Sequence, residues 1–205
     1  MKLAIISGSH RPQSQSQKVA NYAKQLALSL DLASEAEVIS LGGNPLPLWD
    51  EGVWSGEAQW QAVLEPIQTT LRNSDALIVV TPEWHGQVPA GLKNLMLLLS
   101  TAEVGHKPAL IVSVSASEVG GAYPVSELRM SSYKNNRICY LPEHLIIRNV
   151  NSVFNANPTD NNVTNHEYLH KRLAWNLSLL QAYAKALTTV RNSVEMTPSD
   201  FPYGM

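Results

Sequence analysis

Ala76-Leu77-Ile78-Val79-Val80-Thr81-Pro82-Glu83-Trp84-His85-Gly86-Gln87-Val88-Pro89-Ala90-Gly91-Leu92-Lys93-Asn94, residues 76–94, holds the fold in miniature. Ala76 to Thr81 is a short apolar run rich in β-branched residues, with no polar alternation, which is the pattern of a strand buried on both faces. Pro82 to Val88 reads as a turn. From Pro89 the period changes: Leu92, Leu95, Met96 and Leu99 recur at helical spacing, and a proline in the first turn of a helix removes no hydrogen bond. A doubly buried strand followed at once by a helix is the unit of a parallel sheet covered on both sides.

The unit repeats in both directions. Apolar runs at Lys2 to Ser7, Ala36 to Leu41, Ala109 to Ser115 and His144 to Arg148 bring the strand count to five. Val19, Tyr22, Ala23, Leu26 and Leu30 form one helical stripe, and Trp60, Val63, Leu64, Ile67 and Leu71 form another with the same offsets. A weaker helix is read through Ser126 to Ile138. The last helix places Leu169, Leu173, Leu177, Leu180, Ala184 and Leu187 on one face. Alternating strands and helices predict an α/β fold, a doubly wound five-stranded parallel sheet of order 2-1-3-4-5 with helices on both faces. In such sheets ligands sit beyond the carboxyl ends of the strands where the winding reverses, so the loops at Gly8–Ser16, Pro82–Val88 and Ala116–Ala122 are the ones to inspect.

A chain of 205 residues is read as one domain, 1–205, with 193–205 as a C-terminal tail. Its 15 Lys and Arg against 17 Asp and Glu leave a formal charge of -2, which provides no broad cationic field and argues against a nucleic-acid partner. No run approaches the roughly 18 apolar residues of a membrane span. The apolar stretch after Lys2 stops at Ser7-Gly8-Ser9, and the only cysteine, Cys139, permits no internal disulfide, so the expected compartment is the cytoplasm. Between Ile138 and Tyr140 this thiol reads as buried and inert.

The first loop, Gly8-Ser9-His10-Arg11-Pro12-Gln13-Ser14-Gln15-Ser16, lies between a strand and a helix. Hydroxyls at Ser9, Ser14 and Ser16 and the free amides of a helix start suit an anion, and Arg11 adds a charge-assisted bond. The plainer alternative is that Ser16 caps the helix and the other serines decorate a turn. The loop is not G-x-G-x-x-G, and the second strand ends at Leu41-Gly42 rather than at an acid that could hold a ribose. No G-x-x-x-x-G-K-[ST] occurs either, so a small phosphate monoester is the better candidate.

Taken together, Gly8-Ser9-x-Arg11-x-x-Ser14 and Pro82-Glu83-aromatic-x-Gly86-x-x-Pro89-x-x-Leu92-Lys93-Asn94 resemble the NADPH-dependent FMN reductase family of flavodoxin-like proteins. Pro47-Leu48-Trp49-Asp50 is similar to that family's Leu-Pro-Leu-Tyr-Asp segment, and Ser115 to Gly121 with Leu128-Arg129 is similar to its fourth loop. The likeness runs over roughly residues 2 to 150. It implies a flavodoxin-like fold, FMN held at its phosphate by Ser9, Arg11, Ser14 and Ser16, and a flavin ring lined by Pro82, Glu83, Trp84, His85 and Gly86. Ser115, Ser117, Gly120 and Gly121 complete the implied cofactor site. Trp84 stands where the family has tyrosine and His85 where it has asparagine, which makes the ring edge bulkier and able to titrate.

The resemblance further implies an enzyme that uses NADPH or NADH as co-substrate. Hydride would pass by a ping-pong route to a small-molecule electron acceptor such as free flavin, a quinone or an azo compound. His85 is the candidate catalytic proton donor to the reduced acceptor. A homodimer or homotetramer is implied as well. Two other readings stand beside this one. The first is a non-catalytic FMN-bearing electron carrier, which would be expected to show a strongly acidic docking face. The second is a zinc hydrolase, because His166-Glu167-Tyr168-Leu169-His170 matches H-E-x-x-H. Thr164-x-x-Glu167 is equally a capping box at a helix start, and the Lys171–Asn176 stretch carries no further ligand, so no metal is expected there. Trp49, Trp54 and Trp60 cluster around the second connection, where they could pack the core, cover a flavin or meet a second subunit.

Overall fold

The computed structural model describes residues 1–203; Gly204 and Met205, the last two residues of the expected tail, lie outside the described residues. Strands β1 (Lys2–Ser7), β2 (Glu35–Ser40), β3 (Ala76–Pro82), β4 (Pro108–Val114) and β5 (Cys139–Ile147) form one sheet of order β2-β1-β3-β4-β5. Every neighbouring pair is parallel. Alternate side chains of each strand go to opposite faces, as the pleat requires. Leu3 and Ile5 join an apolar layer with α1 (Gln15–Ser29) and α7 (Val163–Arg191), whereas Ala4 and Ile6 join a second layer. That second layer is closed by α3 (Ala58–Arg72), α4 (Ala90–Leu98) and α6 (Ala122–Ser131), with the short helices α2 (Gly52–Ser55) and α5 (Thr101–Val104) at its margin. The carboxyl ends of β1, β3 and β4 therefore share one rim, and the three suspected loops rise from it.

Several boundaries differ from the sequence reading, each for a local reason. The helix expected over Ser126–Ile138 occupies Ala122–Ser131, because Gly121 at φ +100° turns the chain directly into it and Pro124 falls in its first turn. It ends where the Ser132 hydroxyl donates to the Leu128 carbonyl at 2.9 Å. The fifth strand begins at Cys139, five residues before the apolar run, with a bulge opposite Ala109 and Ile111. Pro142 lacks the amide a regular ladder needs, and the Arg129 guanidinium donates to the carbonyls of Leu141 at 2.6 Å and Pro142 at 2.8 Å. Pro89 is the N-cap of α4 rather than its first residue. In α7 the cap is Asn162, whose side chain accepts from the Asn165 amide at 3.0 Å, so the expected Thr164–Glu167 capping box does not form. At the other end of α7, the Arg137 guanidinium holds the tail by donating to the Met196 carbonyl at 2.9 Å and the Phe201 carbonyl at 2.8 Å.

Lys107, only 6% exposed, caps the carboxyl end of α3 by donating to the carbonyls of Leu71 at 2.6 Å and Arg72 at 2.9 Å. Burial, followed by the nearby Arg191 charge, pushes its pKa down from 10.5 to about 8. A base depressed in the fold makes the unfolded chain the better proton binder between those values, so its contribution to stability rises with pH from about 8 to 10.5. Tyr140, which burial raises from 10.0 to about 12, acts oppositely and removes stability above 10. The unfolding free energy is thus expected to climb between pH 8 and 10 in the native chain, by about 1–3 kcal/mol for this group, and more shallowly in Lys107→Met. Parallel pH curves for the two proteins would show that the ammonium keeps its ordinary affinity for protons.

Asn176 sits fully buried in α7, with neither its side-chain oxygen nor its nitrogen partnered. An unsatisfied buried amide costs about 1–3 kcal/mol, and leucine has nearly its shape, so Asn176→Leu is expected to raise the urea midpoint with an unchanged slope. A lowered midpoint would mean that the amide is satisfied in solution by a trapped water.

Candidate flavin and ring-substrate site

The loop after β1 lies on the sheet at very close range. A Cβ on Gly8 would stand 2.6 Å from Leu92 Cδ2 and 2.9 Å from the Val80 carbonyl, so only glycine lets this turn settle between β3 and α4. Ser9 is buried, and its Oγ faces the Arg11 amide at 3.4 Å. Ser14 is the N-cap of α1 and accepts from the Gln17 amide at 3.1 Å, which leaves its own O–H free to donate. The cap is therefore Ser14, where the plainer sequence reading had Ser16. Ser16 lies in the first turn with its hydroxyl buried and unpartnered. The amides of Gln15 and Ser16 have no carbonyl within the helix to meet. A donor-rich helix start with an orphaned hydroxyl and an exposed arginine beside it fits the phosphate of FMN.

At the end of β3, Pro82 is buried, and the Glu83 amide donates to the Val114 carbonyl at 3.3 Å. Trp84 and Gln87 exchange both backbone hydrogen bonds, at 3.1 and 2.9 Å, across His85 (φ 52°) and Gly86 (φ 70°). Two successive positive φ values closed in this way make a type I′ turn, for which glycine and, among side-chain-bearing residues, Asn, Asp and His are best suited. The turn sets His85 on its exposed corner and leaves Trp84 half-buried. The indole does not stand alone. His10, from the first loop, stacks on it at 4.6 Å between ring centroids and 29° between planes.

The fourth loop is tied largely to itself. The Ser115 hydroxyl accepts from the Ser117 amide at 3.1 Å, and the Ser117 hydroxyl accepts from the Gly120 amide at 3.0 Å. The Gly121 amide donates to the Glu83 carboxylate and so joins the third and fourth loops. Ser115, Ser117, Gly120 and Gly121 thus stand at the rim as expected, but their mutual bonds shape the loop, and the amides of 117, 120 and 121 are already engaged. Lys18, in the opening turns of α1, donates to the Val150 carbonyl and to Asn155 Oδ1, each at 2.7 Å; burial lowers its pKa.

The residues of the rival motif are occupied differently. The Phe154 amide donates to His166 Nδ1 at 3.2 Å, which puts the proton of the neutral ring on Nε2 and removes that nitrogen as a metal ligand. His170 Nδ1 shares a hydrogen bond with the Tyr22 hydroxyl at 2.7 Å, and Tyr22 stacks on Phe154 at 4.0 Å. This cluster binds α1 to α7. The tryptophans divide as well: Trp60 is buried with Nε1 donating to Asp50 at 2.8 Å, while Trp49 meets the exposed Trp54 edge to face at 4.9 Å. Cys139 is half-buried, and burial raises its thiol pKa. His10 was missed by the sequence reading because it fills the variable position of Gly8-Ser9-x-Arg11, and no local pattern announces a partner in a distant loop.

The sequence profile of the family described as NADPH-dependent FMN reductase matches residues 1–152. The chain is 29% identical over 132 residues to the NADPH azoreductase of Bacillus sp. (strain OY1-2), a stretch covering 64% of this chain and 68% of that protein. It is 34% identical over 123 residues to the quinone reductase of Pseudomonas putida, covering 58% of this chain and 62% of that one. The aligned region thus spans about two thirds of the length of these relatives. Among solved structures, the flavoenzyme NAD(P)H:(acceptor) oxidoreductase from Paracoccus denitrificans superposes with a TM-score of 0.68 at 18% identity, covering 90% of this chain and 97% of that one. At that identity the likeness establishes the fold.

Proposed function

We infer, from the premise that this chain belongs to the NADPH-dependent FMN reductase family, that it is an FMN-dependent NAD(P)H oxidoreductase. In this reading, NAD(P)H and a small acceptor take turns in one site by a ping-pong scheme. Supporting it above all is the orphaned Ser16 hydroxyl at the opening of α1, where a buried donor lacks the acceptor that a phosphate would supply. FMN, when bound, supplies the hydride chemistry; the chain's own work is to bind, orient and exclude water. Ser9, Ser14 and Ser16 would donate to the phosphate and Arg11 would add charge, while Pro82, Glu83, Trp84 and Gly86 would line the ring. His85, exposed on its turn, would bring a proton to the acceptor. Ser115, Ser117, Gly120 and Gly121 would act chiefly by fixing the shape of that wall.

Quinones and azo compounds are the proposed acceptors, in keeping with the names of the relatives, together with free flavin. We assign the cytoplasm, where the one thiol stays reduced, and among the described residues no helix is long and apolar enough to cross a membrane. Exposed Trp54, Leu97 and Met130 lie along α2, α4 and α6, with Tyr133 in the turn just after α6, which favours a homodimer or homotetramer. Light scattering at micromolar concentration reads that directly. The decisive experiment on function is the absorption spectrum of the purified protein before and after anaerobic NADPH. A flavin spectrum that bleaches is expected, with parallel double-reciprocal lines in steady state. A protein that takes up no FMN would overturn the assignment, and intersecting lines would overturn the alternation.

A further inference from the structure

His10 and Trp84 come from different loops, and nothing in the sequence pairs them. The His10 carbonyl accepts from the Gly43 amide at 3.1 Å, and a Cβ built on Gly91 would lie 3.7 Å from the His10 ring. The His10 backbone is thus tied to the second connection, and its imidazole lies between the opening turn of α4 and the indole. Trp84's backbone is spent on its turn with Gln87, so that turn fixes where the indole begins but leaves its ring to be oriented by its neighbours. One face of the indole is covered by His10, yet the residue remains half-exposed.

We propose that His10 is a positioning residue for the acceptor: by stacking on Trp84 it holds the indole as a fixed wall against which a planar aromatic acceptor packs. This rests on the flavin reading given above. Aromatic packing rewards flat partners with offset or edge contact and gives little to a compact inorganic ion. Without the imidazole, the indole gains rotamer freedom, and part of that freedom must be lost again each time a flat acceptor docks. The effect thus falls on planar acceptors selectively, through KM more than through kcat.

The test uses His10→Ala and His10→Phe, with Trp84→Phe to isolate the emission of this one indole. In apoprotein, acrylamide should quench the Trp84 component more readily in His10→Ala than in the native chain, and His10→Phe should restore protection. In the FMN-loaded enzyme, the ratio of kcat/KM for 1,4-naphthoquinone to that for ferricyanide should fall about three- to tenfold in His10→Ala, mostly through KM, and recover in His10→Phe. An unchanged ratio in folded, flavin-loaded His10→Ala overturns the proposal, as does equal quenching in all variants. Failure of the native chain to bind flavin would sink the functional reading and the acceptor role together. It is recognisable because the quenching comparison, made without flavin, would still report the stack.

Discussion

Alanine at both Arg11 and Ser14 is expected to weaken FMN binding by about 2.5 to 3.5 orders of magnitude while leaving riboflavin binding nearly unaffected. In the proposed phosphate site the guanidinium would contribute a charge-assisted bond of about 1.5–3 kcal/mol, and the serine one neutral bond of about 1 kcal/mol. Ser14 also caps α1 through the Gln17 amide, so its loss loosens the helix start that presents the remaining amides, at a further cost of about 1 kcal/mol. The fold should survive, because Arg11 is exposed and Ser16 and Val19 of α1 stay buried. Calorimetric titration of the apoprotein with each flavin separates the outcomes. Equal losses for both flavins would mean general damage to the site, and unaltered FMN affinity would take the phosphate away from this loop.

Gly121→Val should damage both the fold and the site. The residue sits at φ +100°, where a side chain is strained, and its Cβ would come within 2.5 Å of Ile146 Cγ2. Strain and overpacking together come to roughly 2–4 kcal/mol. The amide of Gly121 also binds the Glu83 carboxylate, so displacement of the backbone pulls the third loop away from the fourth. A drop of several degrees or more in thermal midpoint is expected, together with weakened flavin retention. Native stability with native flavin affinity would show that this loop yields easily. Glu83→Gln then provides the milder comparison, since it weakens the link without adding bulk.

The strand count and the two-faced burial were legible from period and length, as at Ala76–Thr81 and Ala109–Ser115, and the order followed from the doubly wound class that their alternation with helices implies. The first part of β5 was not legible, since Pro142 and Glu143 interrupt the pattern and only Arg129, from another element, satisfies the bulge. The end of α6 and the start of α7 were set by competing local bonds that the periodicity does not rank: the Ser132 hydroxyl on the Leu128 carbonyl, and Asn162, which outcompeted the neighbouring capping box. For the site, the loops were found by position and motif, whereas the engaged amides of the fourth loop and the His10–Trp84 stack depend on side chains meeting across the rim. Linear spacing carries no information about such meetings.

Gly8 leaves no room for even a methyl group between the first loop and Leu92 of α4. In the proposed flavin reading, the grip on one end of an elongated guest and the platform for its other end would consequently share a single footing. The spacing between those two ends would then work like a caliper, favouring guests of one length before any chemistry at the ring.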